Sequence, residues 1–268
     1  MDATALLPAL LMGIVEGLTE FLPISSTGHL ILLGELIGFH GPPGKTFEIA
    51  IQLGAVLAVI WAYRQDLLAM LRRGWIAGTP ERFAVTNLLL AFLPAMVIGA
   101  TLHGTITELL FNPWVVCWAL IVGGVALIVI ERVRPAPSIR TIPEIGPLAA
   151  VLIGFGQVLA MIPGTSRSGA TIIAALLVGV ERRAAAEFSF LLAIPTMLAA
   201  TVYSLYKARA DLAVDDLGVI AVGFVAAFVV GLIVVRTVLG VIGRIGFAPF
   251  GWYRIVLGGA MLVWLSLR

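Results

Sequence analysis

The sequence predicts an all-α integral membrane protein of ten helical segments, six of them spanning and four paired into two re-entrant helix-loop-helix hairpins. Three observations predict it. Of the 268 residues, 60% are hydrophobic and only 12% charged, with a mean hydropathy of +1.09, a composition unsuited to a surface in water. The apolar stretches are long enough to cross about 30 Å of hydrocarbon as helices and lack the roughly ten-residue alternation of barrel strands. Charged, Pro-rich and Gly-rich breaks separate them.

Segment 4–22 has no Lys or Arg before its apolar run and no small-residue cleavage pattern, so it is expected to belong to the mature fold rather than to a signal peptide. Segment 25–38 follows the break LPISSTG and is too short to span. Segments 46–63, 83–101 and 114–131 are full spans. Segment 145–162 is followed, after IPGTSRSG, by a second short one, 166–179. Segments 184–206, 216–238 and 250–267 complete the set. Each short segment, taken with the one before it, reads as a hairpin that enters the bilayer and leaves by the same face.

The two breaks resemble each other. GIVEGLTEFLPISSTGH (13–29) and GFGQVLAMIPGTSRSGAT (154–171) share a glycine, a polar residue three on, an apolar run, a proline and a Ser/Thr cluster closed by glycine. FEIAIQLGAVLA (47–58) has a counterpart in AEFSFLLAIPTMLA (186–199), with Glu48 matched by Glu187. The expectation is one membrane domain, 1–268, built from a first repeat, 1–135, and a second, 141–268. Each half holds three spans, an odd number of crossings, so the second half inserts inverted relative to the first.

Basic residues set the orientation. Arg64, Arg72, Arg73, Arg82, Arg132, Arg134, Arg140, Arg182, Arg183, Arg236, Arg244 and Arg254 fall on one side, against Lys45, Lys207, Arg209 and Arg268 on the other. The richer side is cytoplasmic by the positive-inside rule, so both termini and the mouth of the first hairpin face outside. Trp61, Trp75, Trp114 and Trp252 near segment ends fit interfacial belts. A formal charge of +2 is too small to imply nucleic acid. Cys117 is alone, which excludes an internal disulfide and a cysteine metal site and leaves packing.

An ionised side chain at the bilayer centre costs about 2.5–3.5 kcal/mol, so Glu16, Glu20 and Arg167 need partners or a wet cavity. Glu16 and Glu20 are one helical turn apart, and their repulsion is relieved if a divalent cation, Mg or Ca, lies between them and shares oxygens with phosphate. The alternative is that one or both pair with Arg167 or are protonated. The second helix of each hairpin starts just after its break, capped by Ser25, Ser26 or Thr27 in the first and Thr165, Ser166 or Ser168 in the second. Two such N-termini with Arg167 between hydroxyls make an anion site; Ser25, Ser26, Gly164, Thr165, Ser166, Arg167 and Ser168 are the residues expected to hold phosphate. His29, a turn beyond Ser26, could act as base toward that serine or a water, or attack phosphorus itself. His40 and His103 are expected in loops without a role, while Glu48 could orient the cavity from behind and Glu187 cap or snorkel.

EGLTEFLPISSTGH and PGTSRSGAT, with FEIAIQLGA between them, closely resemble the signatures of bacterial undecaprenyl-diphosphate phosphatases of the bacitracin-resistance type. The resemblance covers essentially the whole chain. It implies removal of a phosphate from the C55 isoprenoid diphosphate, with a divalent metal and an outward-facing site in the bacterial plasma membrane. Transferred to this chain, the catalytic set is Glu16, Glu20, Ser26 and His29 from the first motif and Ser166, Arg167 and Thr171 from the second. The expected partners are a polyprenyl diphosphate and the membrane, with a homodimer as a candidate assembly and no nucleic acid. A transporter or flippase of polyprenyl phosphate is the rival reading, because inverted repeats and a midplane anion site serve transport equally well.

Overall fold

Backbone N–H and C=O groups in lipid find no water, and a chain this apolar can satisfy them only within helices. The computed structural model describes residues 3–39, 41, 46–110, 112–208 and 217–267, and among them extended pairing is confined to one isolated bridge between Ile139 and Val180. Eleven α-helices are described: α1 Ala3–Thr19, α2 Ser26–Ile37, α3 Thr46–Ala62, α4 Arg64–Arg73, α5 Pro80–Leu110, α6 Pro113–Val133, α7 Pro147–Val158, α8 Arg167–Leu177, α9 Arg182–Ala208, α10 Leu217–Ile245 and α11 Ala248–Ser266. A 3-10 turn at Leu159–Met161 extends α7.

α5, α6, α9, α10 and α11 are long and apolar enough to cross a membrane, and α3 joins them if it is taken with α4, from which it is bent by 72°. α1, α2, α7 and α8 are shorter apolar helices in two broken pairs. Local chemistry explains several starts. Pro113 occupies the first turn of α6, where its missing N–H is no loss, and the Asn112 side chain accepts from Val115 N at 3.0 Å.

The helices approach through small residues, as lipid-embedded bundles require. α1 packs along α10, where a Cβ at Gly17 would stand 2.8 Å from the Ala227 carbonyl; α7 packs along α5, where one at Gly154 would stand 2.5 Å from the Ala91 carbonyl. α6 lies against α11, and a Cβ at Gly251 would come within 2.7 Å of the Gly124 carbonyl. Phe21, Phe188, Phe190 and Phe247 fill the main core with the inner faces of α3, α8 and α9. Cys117 is buried with Val116, Leu120 and Met261. Trp61, Trp75, Trp114 and Trp252 all lie at the surface.

The helical segments differ from the expected set in instructive ways. α4 is an eleventh helix in what reads as a loop: RQDLLAMLRR has no buried residue and half its positions are charged or polar, so it leaves no apolar run of its own. α5 continues to Leu110 and passes through position 103, where a loop was expected, and α10 continues to Ile245. Apolar runs mark the hydrocarbon depth, whereas helical hydrogen bonding persists into the interface. α1 ends at Thr19 rather than at 22, whose neighbourhood is a turn before Pro23. Arg254 is the main correction: the positive-inside rule places it with the cytoplasmic charges, yet its side chain is 0% exposed inside the bundle. His40, Lys45, Arg209 and Arg268 lie outside the described residues, as does the side chain of Lys207.

Candidate active site

Each hairpin is interrupted at a proline, Pro23 or Pro163, which cannot continue the helix before it. The chain then recovers through a residue in the left-handed region: Ser25 at φ 69° and Ser166 at φ 70°, the two non-glycine residues with positive φ among those described. Such a conformation costs of order 1–3 kcal/mol and persists only when surrounding contacts impose it. Both serines are the N-caps of the helices that follow, and a glycine stands three residues after each, Gly28 and Gly169. The caps work differently. Ser166 Oγ accepts from Gly169 N at 3.1 Å, whereas the Ser25 side chain makes no cap bond.

The two breaks meet. Ser26 Oγ donates to Glu20 Oε2 at 2.5 Å, and Arg167 reaches across from α8 to Glu20 Oε1 at 3.1 Å, so one carboxylate holds a hydroxyl of its own hairpin and the guanidinium of the other. Glu20 is 7% exposed and Glu16 2%. Arg167 also donates to the Ser189 carbonyl at 2.8 Å and lies 5.9 Å from the centre of the Phe21 ring, while its Nε is buried without a hydrogen-bond partner among the described residues. Ser168 Oγ donates to the Leu22 carbonyl at 2.8 Å and is 3.1 Å from Ser166 Oγ, a second tie between the breaks. Thr171 shares a 2.7 Å hydrogen bond with Ser189 and donates back to α8 carbonyls, holding α8 to α9. The pairing of Glu20 with Arg167 is the arrangement that the sequence offered as the alternative to a cation between the two acids.

His29 is not joined to Ser26. Its Nδ1 lies 2.8 Å from the Ser25 carbonyl, which can only accept, so Nδ1 carries the proton and Nε2, 2.6 Å from the Tyr253 hydroxyl, accepts from it. Gly164 and Thr165 turn their carbonyls to Arg254, and Gly164, at φ 91°, is pressed on Val116 so that a Cβ would stand 2.5 Å from the Val116 carbonyl oxygen. Glu48 Oε2 is buried without a hydrogen-bond partner among the described residues, and Glu16 feels the charges of Glu20, Arg167 and Glu48. Glu187 is elsewhere: it lines a cavity of about 290 Å³ with Tyr63, Asp66, Glu81 and Arg140.

Three participants escaped the sequence reading. Ser189 lies on α9, 22 residues after Arg167, and Tyr253 and Arg254 lie on α11, far along the chain from both breaks. For Arg254 a signal existed, since an arginine several residues inside segment 250–267 needs a partner as much as Arg167 does.

Fold and site together define a multi-pass helical membrane protein in which two interrupted helix pairs bring a buried carboxylate, a hydroxyl and a guanidinium into contact. The chain belongs to the bacitracin resistance protein BacA family, whose model matches residues 9–260. It is 55% identical to undecaprenyl-diphosphatase 2 of Paramagnetospirillum magneticum, over 98% of this chain and 100% of that relative. It is 52% identical to undecaprenyl-diphosphatase of Sphingopyxis alaskensis over 97% of each chain, and 52% to undecaprenyl-diphosphatase 1 of Agrobacterium fabrum over 98% of each.

Proposed function

We infer that this chain hydrolyses undecaprenyl diphosphate to undecaprenyl phosphate and inorganic phosphate, recycling the carrier lipid for peptidoglycan and other envelope polymers. One observation carries the reading: Glu20 is bonded at once to Ser26 and to Arg167, a nucleophile, a base and an anion-binding cation on one contact path. A chain about half identical over its whole length to named undecaprenyl-diphosphatases supports the substrate.

The diphosphate head enters the pocket while the prenyl tail stays in lipid between helices. The free Nε of Arg167 and the N-terminal amides of α2 and α8 bind phosphate oxygens. Ser26 Oγ attacks the terminal phosphorus as its proton passes to Glu20, and the bond to the bridging oxygen breaks with its electron pair leaving on the lipid monophosphate, which takes that proton. Water then attacks the phosphoserine, its proton crossing through Glu20 to the serine oxygen. Both ring nitrogens of His29 are engaged by Ser25 and Tyr253, which supports Ser26 over His29 as the attacking group and gives His29 the part of orienting the first break. Ser166, Ser168 and Thr171 set the start of α8 and with it Arg167.

Glu16 and Glu20 offer carboxylates a turn apart and Glu48 an unsatisfied buried oxygen, the oxygen chemistry that suits a hard divalent cation, Mg or Ca, and Glu20 would give up Ser26 or Arg167 to bind it. No group of three acidic, histidine or cysteine ligands occurs among the described residues, so the cation would rest on two carboxylates and complete its shell with phosphate and water. When bound it neutralises charge on the phosphoryl oxygens.

The finer architecture belongs to the same proposal: six spans and two re-entrant hairpins in the plasma membrane, repeats 1–135 and 141–268 inverted, termini and pocket mouth outside. The matched strained caps support it, as does the exchange by which α1 packs on α10 and α7 on α5. Every residue of the mechanism comes from one chain, so a homodimer is not required by it. The same exchange of helices between halves also suits passage of polyprenyl phosphate, the transport reading. Phosphate release from farnesyl diphosphate by purified protein in detergent separates the two, since transport needs two compartments. Release lost in Ser26→Ala and reduced less in His29→Ala is the expected result; near-normal release by Arg167→Ala overturns the assignment.

A further inference from the structure

Among the described residues Arg254 is the largest fully buried side chain, and it has no ion-pair partner there. Its guanidinium is spent wholly on backbone carbonyls. Nε donates to Leu120 at 3.2 Å; one terminal nitrogen donates to Pro23 at 3.2 Å and Thr165 at 2.8 Å; the other donates to Ala119 at 2.9 Å and Gly164 at 3.1 Å. Pro23 and Gly164 are each two residues before a strained cap, Ser25 and Ser166, so a single planar fork grips equivalent peptides of both breaks and fixes them to α6. Lysine could not do this, because its ammonium is a point donor without the fork.

The geometry points to Arg254 as the positioning residue that sets the backbone of the anion site. The inference rests on the phosphatase reading above. A trans peptide directs its C=O and N–H oppositely. Holding the Thr165 carbonyl toward Arg254 therefore turns the Ser166 N–H to the other side of the chain, next to Arg167, where it can meet charge developing on a phosphoryl oxygen. The same grip sustains φ 70° at Ser166, which carries no glycine-like freedom of its own. Arg254 touches no reacting atom; it acts through the peptides it holds.

The test uses full-length protein purified in detergent, farnesyl diphosphate as substrate, and vanadate as a pentacoordinate phosphate mimic. Arg254→Lys and Arg254→Gln are compared with Arg244→Gln, an exposed arginine outside the site, and with Arg167→Ala. In folded Arg254→Lys and Arg254→Gln, kcat is expected to fall about a hundredfold, KM to change less than about threefold, and vanadate inhibition to weaken in parallel with kcat, while Arg244→Gln stays at wild-type values. A purely structural residue would lower the folded fraction and leave kcat per folded molecule and vanadate affinity unmoved, which overturns the inference. Failure of both Arg254 variants to fold likewise reduces Arg254 to a folding role and overturns it. Activity surviving in Arg167→Ala would instead overturn the phosphatase reading of the site, a distinct outcome.

Discussion

Between α1 and α2 the chain turns through Ser25 at φ 69°, and between α7 and α8 through Ser166 at φ 70°, so the two breaks have one backbone course. Their side chains diverge. The first carries Glu20 bonded to Ser26 and leaves its cap position without a side-chain bond; the second carries Arg167 and a working cap from Ser166 to Gly169. One break supplies base and nucleophile, the other anion binding and rigidity. Neither hairpin is therefore a site by itself: a buried carboxylate and a largely buried guanidinium become tolerable, and useful, only across the gap between the two.

The comparison can be broken most severely at its centre. Glu20→Ala and Arg167→Ala are each expected to lower phosphate release by about a thousandfold or more, measured on purified protein that elutes as a single species. The reciprocal swap, Glu20→Arg with Arg167→Glu, restores an ion pair but removes the base from Ser26; it should stay inactive, and recovery of activity would show that the charge pair alone matters. Ser26→Ala against His29→Gln sharpens the division within the first break: about a hundredfold loss or more for the serine and about tenfold for the histidine, in single-turnover phosphate release. A reversed order would move the attacking group to the imidazole.

Smaller effects test the scaffold beneath each break. Gly17→Val and Gly154→Val each drive a side chain into a backbone carbonyl of the neighbouring helix, at 2.8 Å or less, and should cost about 1–3 kcal/mol, read as thermal midpoint in detergent. A large loss in one half and none in the other would deny them comparable roles. Smallest is the cap comparison. Glycine adopts φ near 70° freely, so Ser25→Gly, which forfeits no cap bond, should leave the thermal midpoint unchanged or raised; Ser166→Gly trades that relief against a lost cap of about 1 kcal/mol and should fall below it. Equal midpoints for the two would remove the distinction between the breaks.

Much of this was legible along the chain. Nine of the ten expected segments begin within two residues of a described helix, because hydrocarbon depth imposes apolar runs of nearly fixed length. The exception, 83–101, begins three residues late, since the charged start of α5 reads as interface. Glu20, Ser26 and Arg167 stood out because polar groups in such runs are costly and need a reason. α4 is not legible because a short, half-polar helix leaves no apolar run, and the spacing of His29 from Ser26 does not fix direction: on α2 the imidazole leans to Ser25 and Tyr253, and the hydroxyl to Glu20.

The amino-acid order by itself determined a helical membrane protein with two proline-broken hairpins bearing opposite charges, since solvation in a bilayer is decided residue by residue and leaves its record in composition and spacing. Which groups share a hydrogen bond was decided only by tertiary packing. Arg254 becomes a clamp on both breaks, and Tyr253 a partner for His29, because glycines on α6 and α11 let those helices approach closely, a meeting of stretches 89 or more residues apart that no local pattern encodes.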